Sequence, residues 1–257
     1  ISRTNDTIGP MAVSVADLAL LDAVICGEEA AAPVPLSKVR LGVPRTFWET
    51  LDPEVEAVSR AFCERMEMQG VTLVDMDLPD LRTLLEKISA PVVLHEPLED
   101  IPAYLSANGC THLTLASIAE QVANPDVRAA FELILGDAFG EAYEPAIRIH
   151  RPQLCRLYTE TFQHMRLDGL VFPTTPIPAI ASTPDDAFGV VEIAGVGLAK
   201  VFDTYIRNTD PGSNAGLPGL SIPIGATGEG MPVGIEIDGA VGSDKMLLGI
   251  GMALERH

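Results

Sequence analysis

The sequence predicts an α/β protein with at least some parallel strand pairing, and three observations carry this. A strand pattern at 39–43, a helical pattern from Pro53 to Gly70 and a second strand pattern at 71–76 follow one another, which is a βαβ-like order. Short apolar runs at 170–172, 220–224 and 233–237 add strands later in the chain. With 257 residues, 47% of them hydrophobic, the chain has enough apolar material for one large domain or two small ones.

Each element has a local reason. Ser14 with Asp17 three positions on is close to a capping box, and Val15, Leu18, Leu21 and Ile25 give the following helix an apolar stripe that Gly27 ends. An alanine-rich loop with two prolines, 28–35, leads to the strand at 39–43, which Pro44 closes. Asp52 and Pro53 are an N-cap and a first-turn proline for the second helix, where Val55, Val58, Phe62 and Met66 repeat at helical spacing. From 81 to about 160 the pattern is mainly helical, with breaks expected near Pro91, Pro97, Asn108-Gly109 and Asn124-Pro125.

Leu170-Val171-Phe172 reads as a buried strand that runs into Pro173-Thr174-Thr175-Pro176-Ile177-Pro178, a proline density that no central ladder tolerates. Asn208 to Gly219 packs small, turn-forming residues beside the strand at 220–224, so tight bends and a pocket floor are expected there. The segment 225–230 reads as a hairpin-like turn to the strand at 233–237, and Asp244 caps a last helix carrying Met246, Leu247, Ile250 and Leu254. No internal repeat is visible.

Charge and cysteine usage narrow the functional classes. With 17 basic against 36 acidic residues the formal charge is -19, which argues against nucleic acid or an anionic membrane as a partner. Cys26, Cys63, Cys110 and Cys155 lie far apart, without Cys-x-x-Cys or histidine spacing, and read as buried free thiols in a reducing, cytoplasmic compartment. The first ten residues have neither a basic start nor an apolar run, so no secretion signal or membrane span is expected. Ile1 in place of an initiator methionine marks the chain as processed, cleaved or incompletely represented.

Most chemistry-bearing side chains are isolated. His95-Glu96 lacks a second histidine at metal spacing and reads as a solvated or cap-bound pair; His112, His150 and His164 are equally alone. Gly212-Ser213-Asn214-Ala215-Gly216 does not fit Gly-x-Ser-x-Gly, so it is read either as a turn in which Asn214 bonds backbone groups or as a pocket wall. Arg207, Asn208, Thr209 and Asp210 either orient a small ligand's polar group or are ordinary loop polarity. The Pro173–Pro176 loop is a rigid connector or a fixed wall of a site beyond a strand end.

Taken together, these residues resemble the carboxy-terminal half of the amidase signature family, over nearly the whole chain. Asp6-Thr7-Ile8-Gly9-Pro10-Met11-Ala12-Val13-Ser14-Val15-Ala16-Asp17 is similar to its Asp-Thr-x-Gly-Pro-x-Ala-Arg-Ser-Val-x-Asp segment, with Val13 where arginine is usual. Phe172-Pro173-Thr174-Thr175-Pro176, the Asn214 to Pro223 block and Gly230-Met231-Pro232-Val233-Gly234 resemble three further family blocks. Arg207 to Asn214 looks most like the indoleacetamide and mandelamide hydrolases of that family.

The resemblance implies a mixed, largely parallel β-sheet flanked by helices, represented by the carboxy-terminal portion of a single amidase domain that spans 1–257. It implies hydrolysis of a small primary amide of an aryl-substituted acetic acid to the acid and ammonia, with no metal or organic cofactor. The family's lysine and two serines lie upstream of the Asp-Thr-x-Gly-Pro segment and have no counterpart here, so no catalytic residue is assigned and the chain alone is expected to be inactive. Substrate contacts are expected from Arg207, Asn208, Thr209 and Thr174, with the 81–158 region at the pocket's mouth. The implied partners are the amide substrate and the missing amino-terminal half, and a homodimer is compatible. A chain cut through a continuous core would also leave an apolar face uncovered. Two other readings stand beside this: a binding or interaction module on the amidase scaffold, and a hydrolase using Ser213 with an in-chain base.

Overall fold

The computed structural model describes residues 1–180, 189–193 and 197–255. Two compact units share the chain: the smaller has Ile1–Ile8 with Asp80–Arg156, and the larger has Gly9–Pro79 with Leu157–His257. Helix α1 (Val15–Cys26) opens the larger unit, and Ser14 accepts the Asp17 N–H as its cap, while Gly27 in the left-handed region ends it. Strand β1 (Arg40–Pro44), helix α2 (Pro53–Met68) and strand β2 (Thr72–Met76) form the expected βαβ order, with β1 and β2 parallel. Asp52 accepts the N–H groups of Glu54 and Val55, and Pro53 sits in the first turn.

The smaller unit is helical. It holds α3 (Leu81–Glu86), α4 (Ser89–Val93), α5 (Pro97–Ala107), α6 (Leu115–Gln121), α7 (Pro125–Leu135), α8 (Gly140–Pro145) and the start of α9 (Arg151–Met165). Pro97 opens α5, Asn108 ends it, and Asn124 caps α7 at Pro125, as the breaks predicted. Pro91 is the exception: it lies inside α4, but in the first turn, where a missing N–H leaves no bond unmade.

The remainder of the larger unit follows: strands β3 (Gly169–Pro173), β4 (Val190–Ile193) and β5 (Gly197–Lys200), helices α10 (Val201–Ile206) and α11 (Asp210–Ala215), strands β6 (Gly219–Ala226) and β7 (Pro232–Asp238), and helix α12 (Asp244–Glu255). The main sheet runs β2-β1-β3-β7-β6. β1 is parallel to both β2 and β3, and β7 is antiparallel to β3 and β6, so four of the five strands point one way. This is the mixed, largely parallel sheet flanked by helices that the resemblance implied. β4 and β5 form a separate antiparallel pair that periodicity did not reveal.

Period-two alternation sorts β6 and β7 into two faces. Leu220, Ile222 and Ile224 of β6 and Val233, Ile235 and Ile237 of β7 are buried on one face, where α2 and α12 pack. Gly251 of α12 leaves room for Leu220 of β6 and Val15 of α1 together: a Cβ there would come within 2.5 Å of Leu220 and 3.1 Å of Val15. β3 is buried along its whole length, as its unbroken apolar run required. Ser221, Pro223, Gly234, Glu236 and Asp238 fall on the other face, with Leu170 and Phe172 of β3 in the same rows. Among the described residues no helix is long and apolar enough to cross a membrane.

Candidate functional site

Where β3 ends, three separated blocks of sequence meet. The Thr174 N–H donates to the Gly234 carbonyl at 3.1 Å, and the Thr174 and Ser221 hydroxyls lie 2.6 Å apart. Gly234 makes this possible. A Cβ there would sit 3.1 Å from Ser221 Oγ and 3.2 Å from Thr174 Oγ1, inside ordinary contact distance. Ser221 is exposed and Thr174 half-buried, so this hydroxyl pair faces outward from the sheet.

Behind it the backbone is braced by groups expected to touch substrate. Asn208 is fully buried, and its Nδ2 donates to the carbonyls of Pro173 at 2.7 Å and Phe47 at 3.1 Å. Its side-chain oxygen accepts from Arg207 Nε at 3.3 Å. The Arg207 guanidinium further donates to the Glu49 carbonyl at 2.7 Å and to the carbonyl and hydroxyl of Thr50, a residue held at positive φ. Thr209 Oγ1 donates to the Ile206 carbonyl. Arg207 and Asn208 therefore fix the loops after β1 and β3, and Thr174 stands at the open side of that frame.

One row further along the same face lies a carboxyl pair, Asp238 buried and Glu236 half-buried. Glu236 and Asp238 are two residues apart on β7, hydrogen-bonded to each other. Gly219, opposite Asp238, leaves them room: a Cβ there would come within 2.8 Å of Asp238 Oδ1 and 3.0 Å of Glu236 Oε1. Burial pushes both carboxyls up from their ordinary range, and for Asp238 the charge of Glu236 adds to the rise. The pair thus retains a proton where a solvated carboxyl would have lost it. Tyr158 is buried nearby, and its phenol is raised by burial and by the charges of Asp238 and Asp210.

The Asn208 to Gly219 stretch needs correction in form. In place of successive tight bends it contains α11, with Pro211 in its first turn and Gly216 in the left-handed conformation at its end. Pro211, Gly212, Asn214 and Ala215 face inward, and Gly212 abuts Asp238. Asn214 bonds the Asp210 carbonyl, a backbone group, as one of its two readings had it. Ser213 lies on the exposed side of this short helix.

The smaller unit corrects the reading of Glu96 as solvated or cap-bound. Glu96 is fully buried and accepts from the Ser2 and Thr4 hydroxyls, the Thr4 N–H at 3.1 Å and the Tyr143 hydroxyl at 2.9 Å. His95 stacks on Tyr143 and meets Asp137 at 2.7 Å. Among the described residues no three His, Cys, Asp or Glu side chains are grouped to hold a metal. The four cysteines are free, but only Cys63 is buried, and Cys26 is exposed. Sequence reasoning passed over Ser221, Glu236 and Asp238. The signal available for the acids was the alternation Ile235-Glu236-Ile237-Asp238, which puts two carboxyls on one face of a strand.

Comparison with known proteins gives this geometry a family. The family model described as Amidase matches residues 1–248. Over 260 residues the chain is 39% identical to an indoleacetamide hydrolase of Agrobacterium vitis, covering 100% of this chain and 55% of that protein. It is 37% identical to a mandelamide hydrolase of Pseudomonas putida, covering 99% of this chain and 50% of the relative. A crystal structure of an amidase superposes with a TM-score of 0.80 at 27% identity, over 99% of this chain and 54% of that one. The fold also matches the native peptide amidase of Stenotrophomonas maltophilia, with a TM-score of 0.67 at 21% identity over 100% of this chain and 54% of the other. The chain spans about half the length of the curated relatives it matches. As its motif blocks implied, the chain belongs to the amidase signature family.

Proposed function

We propose that the chain is the carboxy-terminal part of an amidase that cleaves the C–N bond of a small primary carboxamide, an arylacetamide such as mandelamide or indoleacetamide. The observation that carries this reading is the meeting of three family blocks at Thr174, Ser221 and Gly234, on an open face of the sheet beside strand ends. Thr174 and Ser221 offer hydroxyls to the substrate, with Thr209 beside them, while Arg207 and Asn208 hold the loops after β1 and β3 in place.

The reaction is acyl transfer. A serine oxygen adds to the amide carbonyl, backbone N–H groups hold the oxyanion, and the C–N bond breaks as nitrogen takes a proton and leaves as ammonia. Water then cleaves the acyl ester to the carboxylic acid. The lysine and serines for these steps belong to the half that the relatives carry outside the matched region. This chain supplies the pocket wall and is inactive by itself. Its free thiols support a reducing, cytoplasmic location.

Ammonia release from mandelamide and indoleacetamide tests the reading, measured on the 257-residue chain and on the complete polypeptide. Activity is expected only in the complete protein, and Thr174→Val with Ser221→Ala should raise KM more than they lower kcat. Turnover by the 257-residue chain alone, or a complete protein inert toward both amides, would overturn it.

A further inference from the structure

The side chain of Glu96 has no exposed surface, yet it carries its charge. Burial alone would push the carboxyl up, but the bonds from Ser2, Thr4 and Tyr143 outweigh it and hold the group below its ordinary range. Oε2 accepts from the Ser2 hydroxyl and from the Thr4 N–H at 3.1 Å, and Oε1 accepts from the Thr4 hydroxyl and from the Tyr143 hydroxyl at 2.9 Å. Arg3, between the two, donates its backbone N–H to Asp100 Oδ2 at 2.7 Å and its guanidinium to Glu99 Oε2 at 2.8 Å. Three consecutive residues thus bond carboxylates of one short stretch, 96–100. Ser2 passes the constraint on: its carbonyl accepts the Asp6 N–H at 2.8 Å and the Asn5 N–H at 3.2 Å, which closes a turn onto the first residue of the Asp6-Thr7-Ile8-Gly9-Pro10 block.

We propose that Glu96 is a positioning residue of the amidase reaction, whose four hydrogen bonds clamp the Ser2–Asp6 segment and through it hold the upstream catalytic serines in register with this chain. The proposal rests on the reading above that the chain is the carboxy-terminal part of an amidase. Enclosing a charged carboxylate is costly unless hydrogen bonds answer it, and three of the four that do so come from this one segment. A reacting group displaced by about 1 Å loses on the order of a hundredfold in rate. A clamp at the entry to the family block therefore bears on kcat and leaves substrate affinity nearly untouched.

The test uses the complete polypeptide with Glu96→Ala, Glu96→Asp or Glu96→Gln. The Gln substitution can keep every bond: its oxygen stays on the Thr4 N–H and the Ser2 hydroxyl, and its amide N–H groups donate to the Thr4 and Tyr143 hydroxyls, which turn to accept. The Asp substitution keeps the charge but is a methylene short. Per folded molecule, kcat for mandelamide or indoleacetamide should fall about tenfold or more with Ala and Asp, with KM within about twofold, and Gln should restore it to within about threefold of the parent. The folded fraction is read from Trp48 fluorescence in urea, so lost fold is not counted as lost kcat. Trypsin reads the segment directly, since Arg3 is the sole lysine or arginine before Lys38. Cutting after Arg3 should quicken about tenfold with Ala and Asp and stay at the parental rate with Gln. If Glu96→Ala does not fold, Thr4→Val and Tyr143→Phe each remove one donor and should lower kcat about two- to fivefold. The proposal is overturned by Ala and Asp variants with parental kcat and trypsin resistance, by a loss confined to KM, or by a Gln variant as damaged as Ala. A parent inert toward both amides counts against the amidase reading, and cutting after Arg3 then decides the clamp by itself.

Discussion

Asn208→Ala removes two hydrogen-bond donors from a place water does not reach. The amide group ties the Pro173 carbonyl at 2.7 Å and the Phe47 carbonyl at 3.1 Å, and Asn208 itself has no exposed surface. Each bond contributes a net of about 1 kcal/mol, and the space left by the side chain costs about 1 kcal/mol more. Together this is roughly 3 kcal/mol, or more than a hundredfold in the folded-to-unfolded ratio. Asn208→Asp is nearly isosteric but turns an oxygen toward those carbonyls, and should cost at least as much. Urea unfolding followed by the fluorescence of Trp48 measures it. Trp48 is the sole tryptophan, is buried, and donates its indole N–H to the Val171 carbonyl, so it reports on the same region. A loss below about 1 kcal/mol for Asn208→Ala, combined with a tenfold rise in KM of the complete enzyme, would refute the brace and make Asn208 a substrate contact.

Three further outcomes follow from the packing and the charges. The Glu236–Asp238 pair keeps its proton in the folded chain where the unfolded chain releases it, so stability should fall as pH rises above about 4.5. Asp238→Asn should flatten that slope in urea titrations at pH 5 to 8, whereas stability that climbs with pH would contradict the protonated pair. Gly42→Ala would press a methyl group to 2.6 Å from Met76 Sδ and 2.8 Å from Leu167 and Leu170. It should lower stability by about 2 kcal/mol, and an unchanged urea midpoint would show that the packing between β1 and its neighbours is looser than those distances require. Burial pushes the Cys63 thiol up to about 12, while Cys26 is exposed. A thiol reagent should therefore modify Cys26 in the native chain and Cys63 only after unfolding, as peptide mapping by mass spectrometry would show.

The sequence was legible where a local cause decides the outcome. Ser14 and Asp52 cap helices because a short oxygen-bearing side chain before an apolar stripe has one favourable use. The proline-dense end of β3 and the glycine-rich link between β6 and β7 were readable for the same reason. What escaped depends on distant partners. α11 is only six residues long, and its helical form goes with burial of Pro211 and Asn214, which no local pattern announces. Arg207 and Asn208 were picked out as polar residues near a turn, but their bonds go to Glu49, Thr50, Phe47 and Pro173, far off in sequence. Ser221 gained interest only once Gly234 brought it to Thr174. Glu96 looked like surface until Ser2 and Thr4 closed over it.

The position of β3 between β1 and β7 bears on how the protein is made. β1 and β2 are made together, but the other neighbour of β1, β3, begins roughly ninety residues after β2 ends, a wait on the order of ten seconds. During that time one edge of β1, a strand with Leu41 and Val43 at its centre, has no partner. The last strand to arrive, β7, then joins β3 to β6. Expression at lower temperature, or with chaperones that shield strand edges, should therefore raise the soluble yield more than stabilising the finished fold would.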